Sequence, residues 1–275
     1  MIEDFQKKTA LPDIQSTRDE RNIAIDKVGV TAVSFPIQFA SSSESLVTPA
    51  QHTIANFDLF VSLPKDERGT HMSRFLQVLH GWDRPLSYDA LRELSERIRG
   101  ELQAEAAHLK VRFPYFVERA APVSGEPGKL QLQVAIEVET GRQCDLVLNV
   151  KGPATSLCPC SKQISDRGAH NQRCELSVSL RLQPGTSMFV EELFSLMEQA
   201  ASTQVFPTLK RPDEKWVTEA AYDNPKFVED IVRDLAVVLN SDERVVWYRC
   251  SSENFESIHQ HNAFAEVELD KRMND

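Results

Sequence analysis

The chain has 275 residues, 41% of them hydrophobic, with a formal net charge of −10 from 31 basic and 41 acidic side chains. That length can bury a sizeable core in one large domain or two small ones, and no apolar run approaches a membrane span. An acidic surface speaks against nucleic acid as a partner unless positive charge is locally gathered. Five cysteines in so long a chain do not make a disulfide framework. The opening MIEDFQKKTALPDIQS lacks an apolar signal segment, so the expected location is the cytoplasm.

Residues 1–27 form a polar N-terminal segment. A first strand is predicted near Val28 to Phe39, before the Ser-rich SSSES. From Ile54 to Leu63 the chain alternates, with Ala55, Phe57, Leu59, Val61 and Leu63 on one face. Pro64 and Gly69 end that strand. One helix follows from about Thr70, and a second begins after Ser87, a good N-cap, with Leu91, Leu94, Ile98 and Leu102 as its stripe. Alternation returns over Leu109 to Val117 and again over Leu130 to Val138, across the turn-forming VSGEPGK.

The same order then repeats. Cys144, Leu146, Leu148 and Val150 alternate, Pro153 to Arg173 reads as a long ordered loop, and Cys174 to Leu182 alternate. A helix after PGTS turns Val190, Leu193, Met197 and Ala200 inward, and the connection VFPTLKRPDEKWVTEAAYDN follows. A last helix is predicted with Asn224 as cap and Pro225 at its first position, carrying the stripe Val228, Ile231, Leu235 and Val238. Strands near Val245 to Ser251 and Ala263 to Leu269 flank SENFESIHQHN. The expectation is an α+β fold of tandem ββααββ modules, 28–142 and 143–275, each an antiparallel sheet with helices on one face. LQLQVAIEVE and CELSVSLRL read as open sheet edges, which favours oligomerisation through strands.

Chemistry gathers in the connections of the second half. Cys158, Cys160 and His170 lie between its first two strands, Glu214 between its helices, and His259 and His261 between its last strands. Thiolate, imidazole and carboxylate suit zinc and its neighbours, and a catalytic site wants about three protein ligands with one open position. Cys158, Glu214 and His259 meet that requirement, with His170 as fourth ligand or proton carrier. Each residue also has a plainer role open to it. The cysteines suit buried small hydrophobes, and Glu214 suits a solvated charge run. In an extended segment His259 and His261 would face opposite sides, so only one would reach the site. His71 sits at a helix start, where it could cap, pack or line a pocket.

Glu229, in the first turn of the last helix, either stabilises the helix dipole or accepts the two N–H groups of a guanine edge. Glu256, three residues before His259, could orient that imidazole or take part in proton transfer. Lys162, Arg167, Arg173, Lys210, Arg211 and Lys215 surround these loops, a local field suited to an anionic substrate. Gly-rich phosphate-loop motifs are absent.

The motifs DIQSTRDERN, KDERGTHMSRF, RFPYF, APVSG, TSLCPCSKQIS, GAHNQR, LKRPDEKWVTE, NPKFVEDIVRD and SENFESIHQHNAF together resemble the type IB GTP cyclohydrolases over nearly the whole chain. The resemblance implies the tunnelling fold (T-fold), with two ββααββ modules per chain. It implies one divalent metal ion per site, zinc, manganese or iron, on Cys158, Glu214 and His259 with His170 nearby, and Cys158 and His170 as catalytic residues. It implies a purine anchor at Glu229, with Glu256, His71, Arg74 and Lys210 as further substrate-binding candidates. The implied reaction opens the guanine imidazole ring of GTP at C8, releases formate and forms 7,8-dihydroneopterin triphosphate, the first step towards folate-type pterins. Homotetramers built as dimers of dimers, with His71 and Arg74 of RGTHMSRF serving a neighbouring site, complete the expectation. The rivals are a T-fold nitrile reductase of the queuosine pathway, a non-catalytic zinc-stabilised assembly module, and a thiol redox protein using Cys158 and Cys160.

Overall fold

Strict alternation of apolar and polar residues places every second side chain of a strand on one face, and the structure, a computed structural model, has eight strands, of which the first is interrupted by register shifts in its first half. It describes residues 13–15, 17–40 and 50–273; the Ser-rich stretch after the first strand and residues 1–12 and 16 of the N-terminal segment lie outside them. The strands are β1 (Ile25–Phe39), β2 (Gln51–Leu63), β3 (Ala107–Ala120), β4 (Pro127–Thr140), β5 (Asp145–Leu157), β6 (Asn171–Leu182), β7 (Val245–Asn254) and β8 (Ala263–Asp270). They form one antiparallel sheet in chain order. Helices α1 (Met72–His80) and α2 (Tyr88–Glu101) connect β2 to β3; α3 (Pro159–Ile164) lies between β5 and β6; α4 (Val190–Gln199), α5 (Arg211–Asp223) and α6 (Val228–Ser241) connect β6 to β7.

Register makes the core continuous across the repeat. Phe57 pairs with Val111, Val111 with Ile136, Ile136 with Leu148, Leu148 with Leu180, and Leu180 with Tyr248. All six are at most 1% exposed, so one apolar row crosses from the first half into the second and belongs to a single core. On the opposite face, neighbouring strands carry ion pairs such as Asp58 with Arg112 at 2.7 Å and Glu268 with Arg249 at 2.8 Å. These partly exposed pairs are worth at most about 1 kcal/mol each. Their main effect is to keep that face polar.

Helices cover the apolar face. Ser87 caps α2, its hydroxyl accepting from the Ala90 N–H at 3.2 Å, as the sequence predicts. Leu91, Leu94 and Ile98 are buried beneath it. Gly152 lets α4 lie close on β5: a Cβ there would fall 2.2 Å from Phe194 Cε2. α4 and α5 also bond to the first half. The Tyr115 hydroxyl bonds Glu191 at 2.5 Å, Arg119 pairs with Glu198, and Asp213 binds the β3–β4 turn. Burial pushes the Glu198 carboxyl up to about 7, outweighing the Arg119 guanidinium beside it.

Several expectations are corrected. LQLQVAIEVE lies in β4, interior because the halves join through β4–β5 pairing, and CELSVSLRL lies in β6, interior because it pairs with both β5 and β7; among the described residues the sheet ends are β1 and β8. The connection after α4 contains a full helix, α5, opened by Pro212 and by the Asp213 carboxylate accepting the Lys210 N–H at 2.8 Å. Asn224 does not cap α6. Its amide donates to the carbonyls of Ala201 and Ser202, and the Lys226 N–H is taken by Leu157, so the last helix starts at Val228. Cys144 is exposed and precedes β5.

Candidate active site

The segment expected as one long loop is shorter and more ordered. β5 runs on to Leu157, α3 occupies Pro159–Ile164, and β6 begins at Asn171. Pro159 at the first helical position and the Cys158 sulfur, which accepts the Ser161 N–H at 3.4 Å, start the helix. Gly168, at φ 144°, adopts a backbone conformation that other residues rarely reach and helps the chain return. The Cys158 N–H bonds the His170 carbonyl at 3.1 Å, and Ser161 Oγ accepts the His170 N–H at 3.2 Å. Cys158 and His170 are thereby locked across one closed turn.

Beneath them lies a buried polar cluster. His170 Nδ1 is 3.1 Å from Gln172 Oε1, and Gln172 Nε2 faces Ser156 Oγ at 3.5 Å and Glu256 Oε1 at 3.4 Å. Asn254 Nδ2 donates to Ser156 Oγ at 3.0 Å, and Ser252 Oγ donates to Asn254 Oδ1 at 3.1 Å. Ser156, Gln172, Ser252 and Asn254 are all at most 7% exposed. None was singled out from the sequence, although the signal is there: they break the run of apolar residues at the ends of β5, β6 and β7.

The N-terminus of α6 reaches the same corner. The Lys226 N–H bonds the Leu157 carbonyl at 3.0 Å, so Glu229, exposed in the first turn of α6, stands near the end of β5. Asp230, and not Glu229, makes the capping bond, to the Phe227 N–H at 3.0 Å. Lys162 of α3 lies over the Tyr222 ring, 4.3 Å from its centroid, and donates to the Tyr222 carbonyl.

Other predicted residues make their contacts outside this cluster. Glu214 is exposed on the first turns of α5, beside Arg211, Lys215, Thr218 and Glu219 in an open depression. Its neighbour Asp213 is fully buried and accepts from Val123 N at 2.8 Å, Ser124 N at 2.8 Å and Ser124 Oγ at 2.6 Å. Burial alone would raise that carboxyl; the hydrogen bonds win and hold it well below the usual range. His259 and His261 are both exposed, and their rings stack 4.9 Å apart at 15° in a turn rather than facing opposite sides of a strand. Three first-half and basic candidates have partners within the chain. His71 Nε2 is 3.3 Å from Asp13, Arg74 donates to the Glu101 carbonyl at 3.3 Å, and Lys210 pairs with Glu126.

The donor types suit a divalent transition ion, and Cys158 and His170 are already fixed together. Among the described residues, no three His, Cys, Asp or Glu side chains gather closely enough to hold a metal, so one chain by itself does not bring Glu214 and His259 to that pair. The two buried thiols are of another kind. Burial pushes Cys174 up to about 12 and Cys250 up to about 11, which leaves both inert near neutral pH.

Tandem ββααββ modules sharing one antiparallel sheet define the tunnelling fold. The chain matches a mutant of Bacillus sp. TB-90 urate oxidase with TM-score 0.52 at 8% identity, covering 90% of this chain and 100% of that one. It matches a uricase from Bacillus fastidious with TM-score 0.51 at 7% identity, covering 93% and 95%. At such identities the likeness is one of fold. Sequence carries the rest: the family model described as type I GTP cyclohydrolase folE2 matches residues 11–265. Proteins named GTP cyclohydrolase FolE2 are similar at 44% identity from Aromatoleum aromaticum, over 98% of this chain and 97% of that one, and at 46% from Nitrosococcus oceani, over 95% and 96%. The chain belongs to this family.

Proposed function

We propose that the chain hydrolyses GTP to 7,8-dihydroneopterin triphosphate and formate, the entry step to folate-type pterins, in the cytoplasm. Membership of the family supports the substrate, and the locked Cys158–His170 pair is the observation that carries the site. His170 moves protons, Cys158 contributes its thiolate, and Glu229 accepts the guanine N–H edge from the start of α6. Glu256 lies on the Gln172 side of His170, where a carboxylate supports proton transfer. The basic side chains near α3 and α5 draw the triphosphate against the overall acidic charge.

A divalent ion, zinc, manganese or iron, would be held by Cys158, Glu214 and His259 with His170 beside it. Bound there, it would supply Lewis acidity towards water. Exposure of Glu214 and His259 in the single chain fits a site completed in a homotetramer, and the sheet ends β1 and β8 offer strands for that assembly. His71 and Arg74 then serve a neighbouring subunit only by exchanging the partners they hold within their own chain.

The test is a GTP assay for formate and a fluorescent pterin, with and without chelator. Both products are expected from metal-replete protein and neither after chelation. Metal-replete protein that yields no formate overturns the activity, turnover that survives complete chelation overturns the metal, and a fully active monomer by light scattering overturns the assembly.

A further inference from the structure

The groups around His170 determine which ring nitrogen carries its proton. Ser156 Oγ lies 3.1 Å from the Lys226 carbonyl, which can only accept, so the single hydroxyl hydrogen is spent there. The lone pairs of that oxygen then face donors: Asn254 Nδ2 at 3.0 Å and Gln172 Nε2 at 3.5 Å. Asn254 keeps the same orientation on its other side, where Ser252 Oγ donates to its Oδ1 at 3.1 Å. Gln172 Nε2 also faces the Glu256 carboxylate at 3.4 Å, a second acceptor. With its amide nitrogen committed on that side, Gln172 turns its carbonyl Oε1 to His170 Nδ1 at 3.1 Å. A carbonyl oxygen has no hydrogen to give.

We infer that Gln172 is a positioning residue that fixes neutral His170 as its Nδ1–H tautomer and leaves the lone pair on Nε2 for proton transfer or metal binding. The orientation traces back to one backbone carbonyl, at Lys226, through side chains sheltered from water. Ser257 Oγ, 3.4 Å from the same Nδ1, is an exposed hydroxyl that can accept from the same N–H and so does not oppose the assignment. Reversing the tautomer would set Gln172 Oε1 against a lone pair in a buried place, a costly mismatch. The inference rests on the proposed function only in giving His170 a part in the reaction.

The test uses full-length, metal-free protein with isotope-labelled histidine, at an alkaline pH where imidazoles are neutral. Two-bond nitrogen–proton NMR correlations distinguish the tautomers, and a His170→Gln variant assigns the signal among the seven histidines. Wild-type His170 is expected as Nδ1–H. Gln172→Leu should shift it towards Nε2–H, and Gln172→Glu, which keeps an acceptor, should retain Nδ1–H. Zinc affinity, read by competition with a chromophoric chelator, should fall about 10- to 100-fold in Gln172→Leu and recover in Gln172→Glu. A wild-type Nε2–H signal, or a folded Gln172→Leu with unchanged tautomer, overturns the inference; if Gln172→Leu fails to fold, the wild-type spectrum alone decides. Absence of GTP turnover alongside an Nδ1–H wild type would defeat the proposed function and leave this assignment standing.

Discussion

The two modules meet their corresponding corners with the same backbone and opposite chemistry. In the first, the Leu86 N–H bonds the Gln38 carbonyl at 2.7 Å just before α2; in the second, the Lys226 N–H bonds the Leu157 carbonyl at 3.0 Å just before α6. Around the first corner the inward positions are aromatic. The ring of Phe39, fully buried, lies 4.6 Å from that of Phe113 and 6.0 Å from that of Tyr115, measured between centroids. Around the second they are Ser156, Gln172, Ser252 and Asn254, each hydrogen-bonded. An apolar corner is stabilised by burial alone and needs no defined donor pattern. A buried polar corner gains little net stability, yet it fixes the orientation of every group it holds. The duplication thus supplies two equivalent frames, and only the second is equipped to aim an imidazole and a thiol.

If that contrast sets function, changes at the second corner should remove activity and spare stability. Cys158→Ala should reduce GTP turnover to the assay background with only a small fall in melting temperature from the lost α3 cap, whereas Cys160→Ala, exposed on α3, should matter less. Equal loss from both would point instead to a dithiol mechanism. The reverse is expected of Phe39→Ala. Deleting a fully buried ring should cost about 3–5 kcal/mol in denaturant unfolding while leaving activity per folded molecule near wild type; a stable but inactive protein would break the comparison.

Glu229 lies beside the second corner and makes no capping bond, so Glu229→Ala should leave the helix intact, a first-turn carboxylate being worth at most about 1 kcal/mol. KM for GTP should rise roughly 10- to 100-fold, as expected for losing hydrogen bonds to a charged acceptor. An unchanged KM in the folded variant would remove Glu229 from the site. The smallest effect is expected where the modules are tied together. Asp213 is held below its ordinary carboxylate range by bonds to the β3–β4 turn, so its contribution is present above that range and is lost as pH falls into and through it. Asp213→Asn should lower stability near neutral pH and flatten the acid limb of the stability profile. An unaltered acid limb would show that the tie contributes nothing.

The sequence by itself determined the strands, because a period of two is written residue by residue in Ala55 to Leu63 and Leu130 to Val138, and burial follows it directly. It also determined the Ser87 cap, the duplication and the family, since these depend on neighbours along the chain or on motif order. Only the tertiary structure decided that the two halves share one sheet, which put β4 in its interior, and that β6 lies between β5 and β7. It decided that Asn224 and Lys226 spend their amides on Ala201, Ser202 and Leu157, delaying α6, and that α5 fills the connection before it. Most of all, it decided how His170 is held. Gln172 is next but one to His170 in sequence, but its orientation is set by Ser156, Asn254 and Glu256, which strand pairing and the turn after β7 bring from far along the chain. Hydrogen-bond direction is a property of that meeting, and no local pattern encodes it.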